Sequence, residues 1–420
     1  MALIYSMLNS QRCWLIATAV LAGAPVAGQS QGVPPALATA IELARRDNGW
    51  TLENQRSICE IPAPPFGEEK RAEEYRRRFA ALGLAVRIDS VGNVIARRPG
   101  RSAKPVIVLA AHLDTVFPEG TDVAVRQQGD TLRAPGISDD CRGLAVLLAV
   151  ARALDQARAE SEGPILFLGT VGEEGAGNLR GVRYFFEQAP AGSVDYFIAV
   201  DLTHHQLASR ATGSIRHEFL FTGPGGHSFN AFGMPNPIHA MGRAIARIAD
   251  LTVPESPRTT FNVGVVRGGT SVNAIADTGS FMVDLRSEAP VELARLDSAV
   301  QRIVDSAVAG ERRRWPGSTT PLIVTRRTIG IRPAGTTPES SPIMRAALEA
   351  AASLGITPDD GPHSTDANIP ISLGIPAIAI GHGGMSGGAH SLAEWYVDGP
   401  DGYKGVQWVL LVAAKLSGIR

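Results

Sequence analysis

Apolar residues fall into short continuous runs separated by longer stretches with helical spacing. Residues 106–111, 164–169 and 196–200 are apolar almost throughout, as in strands buried on both faces. Between and around them, 36–46, 69–82, 142–157, 179–188, 341–354 and 403–416 read as helices. Residues 377–380 read as a further buried strand, and 85–88 and 93–97 as strands around the turn Val91-Gly92-Asn93. Alternation of this kind implies an α/β sheet covered by helices on both faces.

The rhythm changes near Ser209. Strand 214–221, helix 237–250, strands 261–267 and 280–285, helix 291–309 and strand 322–326 follow one another. That β-α-β-β-α-β order is the ferredoxin-like arrangement. The α/β pattern then resumes, so a second domain (209–326) is expected inside a first one (33–208 and 327–420).

Composition narrows the class. With 420 residues, 44% of them hydrophobic, the chain is too apolar to be disordered. Forty basic residues against 41 acidic ones provide no field for nucleic acid. Arg12 precedes an apolar run at 13–22, and small residues follow to Gly28. This is the pattern of a secretory signal peptide (1–28), too short to span a bilayer. A secreted or periplasmic protein with no stable membrane association is expected, its fold beginning near Val33. Cys13 falls in the leader. Cys59 and Cys141 are too few for a disulfide framework or a cysteine zinc site. Two buried free thiols are expected, with a single bridge as the alternative.

The chemistry gathers at strand ends. Strand 106–111 runs into His112-Leu113-Asp114, strand 164–169 leads to Glu173-Glu174, and strand 196–200 ends at Asp201. Ser138-Asp139-Asp140 sits in a turn just before a helix. Ligand sites of open α/β sheets lie outside the carboxyl ends of the strands. One such aspartate alone would be read as a helix cap. Several on successive strands, with imidazole and without cysteine, point to Zn²⁺ or a similar divalent ion.

Longer segments sharpen this. They are Ala111-His112-Leu113-Asp114-Thr115-Val116, Gly136-Ile137-Ser138-Asp139-Asp140, Gly172-Glu173-Glu174-Gly175 and Val200-Asp201. Gly223-Pro224-Gly225-Gly226-His227-Ser228, Gly268-Gly269-Thr270-Ser271-Val272-Asn273, Ser364-Thr365-Asp366-Ala367-Asn368 and His390-Ser391-Leu392-Ala393-Glu394 follow. In this order they resemble the M20 family of di-zinc metallopeptidases and deacylases, over nearly the whole chain beyond the leader. The resemblance implies a mixed-sheet zinc-hydrolase domain with an inserted ferredoxin-like lid and dimerisation domain. It implies two Zn²⁺, with Co²⁺ or Mn²⁺ as alternatives.

Residue by residue, the resemblance gives His112 and Asp201 to one metal, Glu174 and His390 to the other, and Asp139 to both. Asp114 would orient His112, and Glu173 would be the general base. His227 would reach the oxyanion in the partner subunit of a homodimer. Asn273 and Arg286 would hold the polar end of the substrate, and Glu394 would position groups near His390. Cys141-Arg142 stand where many members carry Lys-Gly, which is expected to place an oxidisable thiol beside the metals. Asp201, where several deacylases carry Glu, leans the reading toward an exopeptidase acting on small peptides. An N-acyl amino acid deacylase is the alternative. A non-catalytic M20-like binding protein would have lost ligands or base, and this chain retains all of them.

Overall fold

The computed structural model describes residues 33–420; the leader expected at 1–28, with Cys13, lies outside the described residues. The large sheet is built from β1 (Ala85–Ile88), β2 (Val94–Arg98), β3 (Ile107–His112), β4 (Ile165–Thr170), β5 (Tyr196–Leu202) and β6 (Gln206–Ala211). The inserted sheet holds β7 (Gly213–Thr222), β8 (Thr259–Gly268), β9 (Thr278–Ser287) and β10 (Ile323–Arg332). The chain then returns to the large sheet with β11 (Gly335–Thr336), β12 (Asp359–His363) and β13 (Ala377–Gly381).

The large sheet runs in the order β1-β2-β4-β3-β5-β13-β6-β11, with β12 paired to β6. Its centre is parallel: β3 pairs in parallel with β4 and β5, and β13 with β5. Antiparallel strands flank this core, so the sheet is mixed. All six residues of β3 are buried, as its unbroken apolar run requires. On one face lie α1 (Pro35–Arg46), α2 (Asn48–Cys59), α3 (Glu69–Ala81) and α4 (Cys141–Gln156). The other face carries α5 (Arg180–Gln188), whose Val182 and Phe185 pack on Val108, Ala110 and Phe197.

The inserted domain has α6 (Pro237–Ala249) and α7 (Pro290–Arg314) on one face of the antiparallel sheet β8-β9-β7-β10. Strict alternation decides which face. Phe219 and Phe221 of β7 and Phe281, Val283 and Leu285 of β9 are buried beneath these helices. The intervening Arg216, Asp284 and Arg286 therefore occupy the opposite face. This sheet spans 213–332, not 209–326: Ser209 still pairs in the large sheet, and β10 continues to Arg332. The last two helices, α8 (Pro342–Ser353) and α9 (Tyr403–Ser417), complete the first face of the large sheet.

The start of α4 positions the site. Asp140 caps it, its Oδ1 accepting from Gly143 N at 3.0 Å. Its Oδ2 accepts from His112 N, also at 3.0 Å, which locks the end of β3 to the start of the helix. Gly143 is needed for this approach, since a Cβ there would lie 2.1 Å from the carbonyl oxygen of Val200. Cys141, the first helical residue, packs with Cys59, Leu132, Ile137 and Tyr396. Both thiols are buried and free. The expectation of a thiol beside the metals is corrected accordingly: Cys141 faces this apolar cluster and does not line the cleft described next. Among the described residues, no helix is long and apolar enough to cross a membrane.

Candidate metal centre

The carboxyl ends of β3, β4 and β5 open onto a cleft of about 450 Å³. Asp139, Glu173, Glu174, Asp201 and His390 line it, together with Arg216 and Arg286 from the inserted domain and Arg332 at its far end. His112 is buried at its floor.

Asp139 stands between two imidazoles. Its Oδ1 is 2.9 Å from His112 Nε2 and its Oδ2 is 3.2 Å from His390 Nε2. Asp201 Oδ1 lies 3.5 Å from His112 Nε2, and Glu174 Oε1 lies 2.9 Å from His390 Nε2. The five expected ligands thus come together as two groups sharing one carboxylate. His112 donates its Nδ1 proton to the backbone oxygen of Asp114 at 3.0 Å, which leaves Nε2 with its lone pair toward the carboxylates. An imidazole lone pair facing carboxylate oxygens at such distances needs a cation between them, a proton or a metal. The donor set of nitrogen and oxygen atoms suits divalent zinc, cobalt or manganese.

The electrostatics agree. Burial opposes charge on His112, yet Asp201 and Asp139 push its imidazole well above its ordinary value. Hydrogen bonding to the Asp139 and Glu174 carboxylates raises His390 to about 10. Burial pushes Asp201 up to about 6, with His112 opposing and Asp139 and Glu174 adding to it. A raised carboxyl favours the protonated form, so without metal Asp201 weakens the fold progressively as pH rises from about 4 to about 6. Metal-free Asp201→Asn is therefore expected to melt with metal-free wild type at pH 4 and about 2–4 °C above it at pH 7. With metal bound the order reverses. Melting curves across this pH range check it, and a metal-free wild type more stable than the variant at pH 7 would contradict it.

Asp114 acts differently from the expectation. Its carboxylate is 3.7 Å from His112 Nδ1, and its backbone oxygen holds the ring instead. The carboxylate accepts from the amides of Glu173 at 3.0 Å and Glu174 at 2.9 Å, and so fixes the acidic pair. Glu173 is 4% exposed, and its Oε1 accepts from Arg332 Nη1 at 2.9 Å. Burial raises its carboxyl well above the ordinary range, Arg332 opposes this, and Glu174 and Asp201 add to it. A second Arg332 bond reaches the backbone oxygen of Glu173.

Glu394 holds the metal-binding turn. Its carboxylate accepts from the amides of Gly136 and Ser138 at 2.8 Å and of Asp139 at 3.0 Å. Arg332 was missed by sequence reasoning; an arginine in an alternating strand carries no signal that its partner is a glutamate across a domain junction. Asn273 and Arg286, expected together, are apart. Arg286 lines the cleft, whereas Asn273 lies beside His227 on the ribbon pairing Gly226–His227 with Ala274–Ile275. Both are exposed and outside the cleft of their own chain. His204 and His205 stack on each other at 4.1 Å and do not line it either.

Residues 108–415 match the model of peptidase family M20/M25/M40. The chain belongs to this family. The M20 chain is 30% identical to a probable carboxypeptidase of Aspergillus terreus over 53% of its own length, and spans about half (54%) of that relative. It is 27% identical to an acetylornithine deacetylase of Vibrio atlanticus, covering 61% of this chain and 70% of the other. Among solved structures, aminopeptidase PepT of Bacillus cereus superposes with a TM-score of 0.70 at 19% identity, covering 87% and 98% of the two chains. A dinuclear metal-binding M20 peptidase of Bacillus subtilis gives 0.65 at 20% identity, covering 90% and 99%. The fold is that of an M20 catalytic domain with its dimerisation domain, and the protein is an M20 hydrolase acting on amide bonds.

Proposed function

We propose that this M20 hydrolase is an exported di-zinc exopeptidase that cleaves small peptides with a free carboxyl group. The observation that carries the reading is Asp139 set between His112 and His390, with buried Glu173 lining the same cleft. His112, Asp139 and Asp201 would hold one cation, and Glu174, Asp139 and His390 the other. When bound, two divalent cations supply Lewis acidity that polarises the scissile carbonyl and makes water acidic. Glu173 takes the proton from the attacking water and passes it to the leaving amine. Asp114 keeps Glu173 and Glu174 in register through their amides, and Arg332 holds the Glu173 carboxylate at one oxygen. Arg286 meets the substrate carboxylate.

His227 serves the partner subunit of a homodimer by donating to the oxyanion. Its exposure, with exposed Phe229, Phe232 and Val272 around it, supports this placement. Glu173→Gln and His227→Ala subunits, each inactive alone, are expected to recover activity when mixed, since a mixed dimer holds one complete site. No recovery on confirmed subunit exchange would overturn the role in trans.

The test of the function is one panel on zinc-loaded protein with Glu173→Ala as control. It compares dipeptides, tripeptides, C-terminally amidated peptides and N-acetyl amino acids. Cleavage of dipeptides or tripeptides supports the exopeptidase. Cleavage of N-acetyl amino acids alone would replace it with the deacylase reading, which the acetylornithine deacetylase relative favours.

A further inference from the structure

Three guanidinium groups face the cleft, and they are not equivalent. Arg332 is committed: its Nη1 bonds Glu173 Oε1 at 2.9 Å and Ser364 Oγ at 3.1 Å, and its Nη2 bonds the Glu173 backbone. Its charge is balanced by Glu173. Arg216 and Arg286 instead share one carboxylate. Arg216 Nε donates to Asp284 Oδ1 at 3.1 Å, and Arg286 Nε donates to Asp284 Oδ2 at 2.7 Å. Arg216 Nη1 also donates to the backbone oxygen of Gly175, next to the metal ligand Glu174, at 3.0 Å. Among the described residues, the Nη groups of Arg286 have no protein partner within hydrogen-bond distance.

Strand register builds this arrangement. Asp284 of β9 stands directly opposite Arg216 of β7, and Arg286 is two residues further along the same face. Each guanidinium is held at its Nε, which leaves Nη2 of Arg216 and both Nη groups of Arg286 without a protein partner among the described residues. Two guanidiniums thus share one directly bonded carboxylate. A single carboxylate, with its two oxygens and planar geometry, is the complement of such a pair.

We propose that Asp284 is a positioning residue that presets Arg216 and Arg286 as one receptor for a single substrate carboxylate, so that free acids are selected over their carboxamides. This rests on the amide-hydrolase reading above and adds Arg216 and Asp284 to the contact given there to Arg286. Arg216 further ties that receptor to the Gly175 backbone, so recognition is anchored to the segment carrying Glu174.

The experiment compares zinc-loaded wild type, Asp284→Asn and Asp284→Glu on Ala-Ala and Ala-Ala amide. In parallel, calorimetric binding of N-acetyl-alanine and its amide is measured on Glu173→Gln with and without Asp284→Asn. Asparagine keeps one acceptor oxygen but turns an amide donor toward the other arginine. Its kcat/KM on the free acid is expected to fall by about 10–100-fold, mainly through KM. On the amide it should fall by no more than about 3-fold. The acid-to-amide ratio therefore collapses, and glutamate partly restores it. Should Asp284→Asn fail to fold, Arg216→Gln reads the same ratio. Equal loss on acid and amide would make Asp284 merely structural and overturn the proposal. So would a wild type that cleaves acid and amide alike, or a Glu173→Gln protein that binds them alike, while the hydrolase reading stands. A wild type that cleaves neither peptide, with a Glu173→Gln protein that binds the acid selectively, would instead end the exopeptidase reading and keep the receptor.

Discussion

Replacing Glu173 with glutamine is expected to lower kcat by about 10²–10⁴-fold, with metal content and melting temperature close to wild type. Glutamine retains the side-chain oxygen that accepts from Arg332 Nη1 at 2.9 Å, so the local packing survives. What it loses is the ability to take up a proton. Burial raises the basicity of this carboxylate above that of a surface glutamate, and the neighbouring Glu174 and Asp201 raise it further. Arg332 works against them by favouring the charged carboxylate. The check is a kcat measurement paired with metal analysis of the same preparation. A variant within about 3-fold of wild type, far from the loss that general-base removal causes, would remove Glu173 from the proton path.

Replacing Asp139 with alanine should be more damaging still. Among the described residues, this is the one side chain whose two oxygens address both histidines, at 2.9 and 3.2 Å. Without it, His112 Nε2 keeps Asp201 at 3.5 Å and His390 Nε2 keeps Glu174 at 2.9 Å, with no carboxylate joining the two. Bound metal is expected to fall from two ions to one or none, and activity by more than about 100-fold. Asp139→Ala protein that still holds two ions would refute the shared-carboxylate arrangement.

The strands that carry the ligands were legible because they are buried on both faces and end abruptly in polar residues. The end of β3 at His112 is the plainest case. Helix α2 gave no comparable signal. Its buried face includes Thr51, Asn54 and Gln55, and Gln55 is satisfied by distant groups, donating to the backbone of Ile137, 82 residues away, and accepting from Arg142. β10 ran six residues past its expected end because it is an edge strand, mostly exposed, with little apolar pattern to read. Of the site, the ligands and Glu173 could be placed from strand ends and ordered motifs. The roles of Asp284 and Arg332 could not. An alternating strand shows which residues share a face but not what that face meets, and here it meets the cleft of another domain. Asp114 shows a finer limit: its position was foreseen, but whether its carboxylate or its backbone oxygen would meet His112 depends on a turn that spacing alone does not specify.

Glu394 closes the turn that carries Asp139, across 255 residues of sequence. Together with His390 it comes from the last tenth of the chain, whereas His112 and Asp139 come from its first third. During synthesis, then, the first ligands emerge long before their partners exist, and the whole inserted domain is made in between. The two halves of the centre are therefore completed at different times. A chain cut short before residue 390 would keep His112, Asp139 and Asp201 but lack the imidazole that faces Asp139 and Glu174, however well its earlier strands had paired.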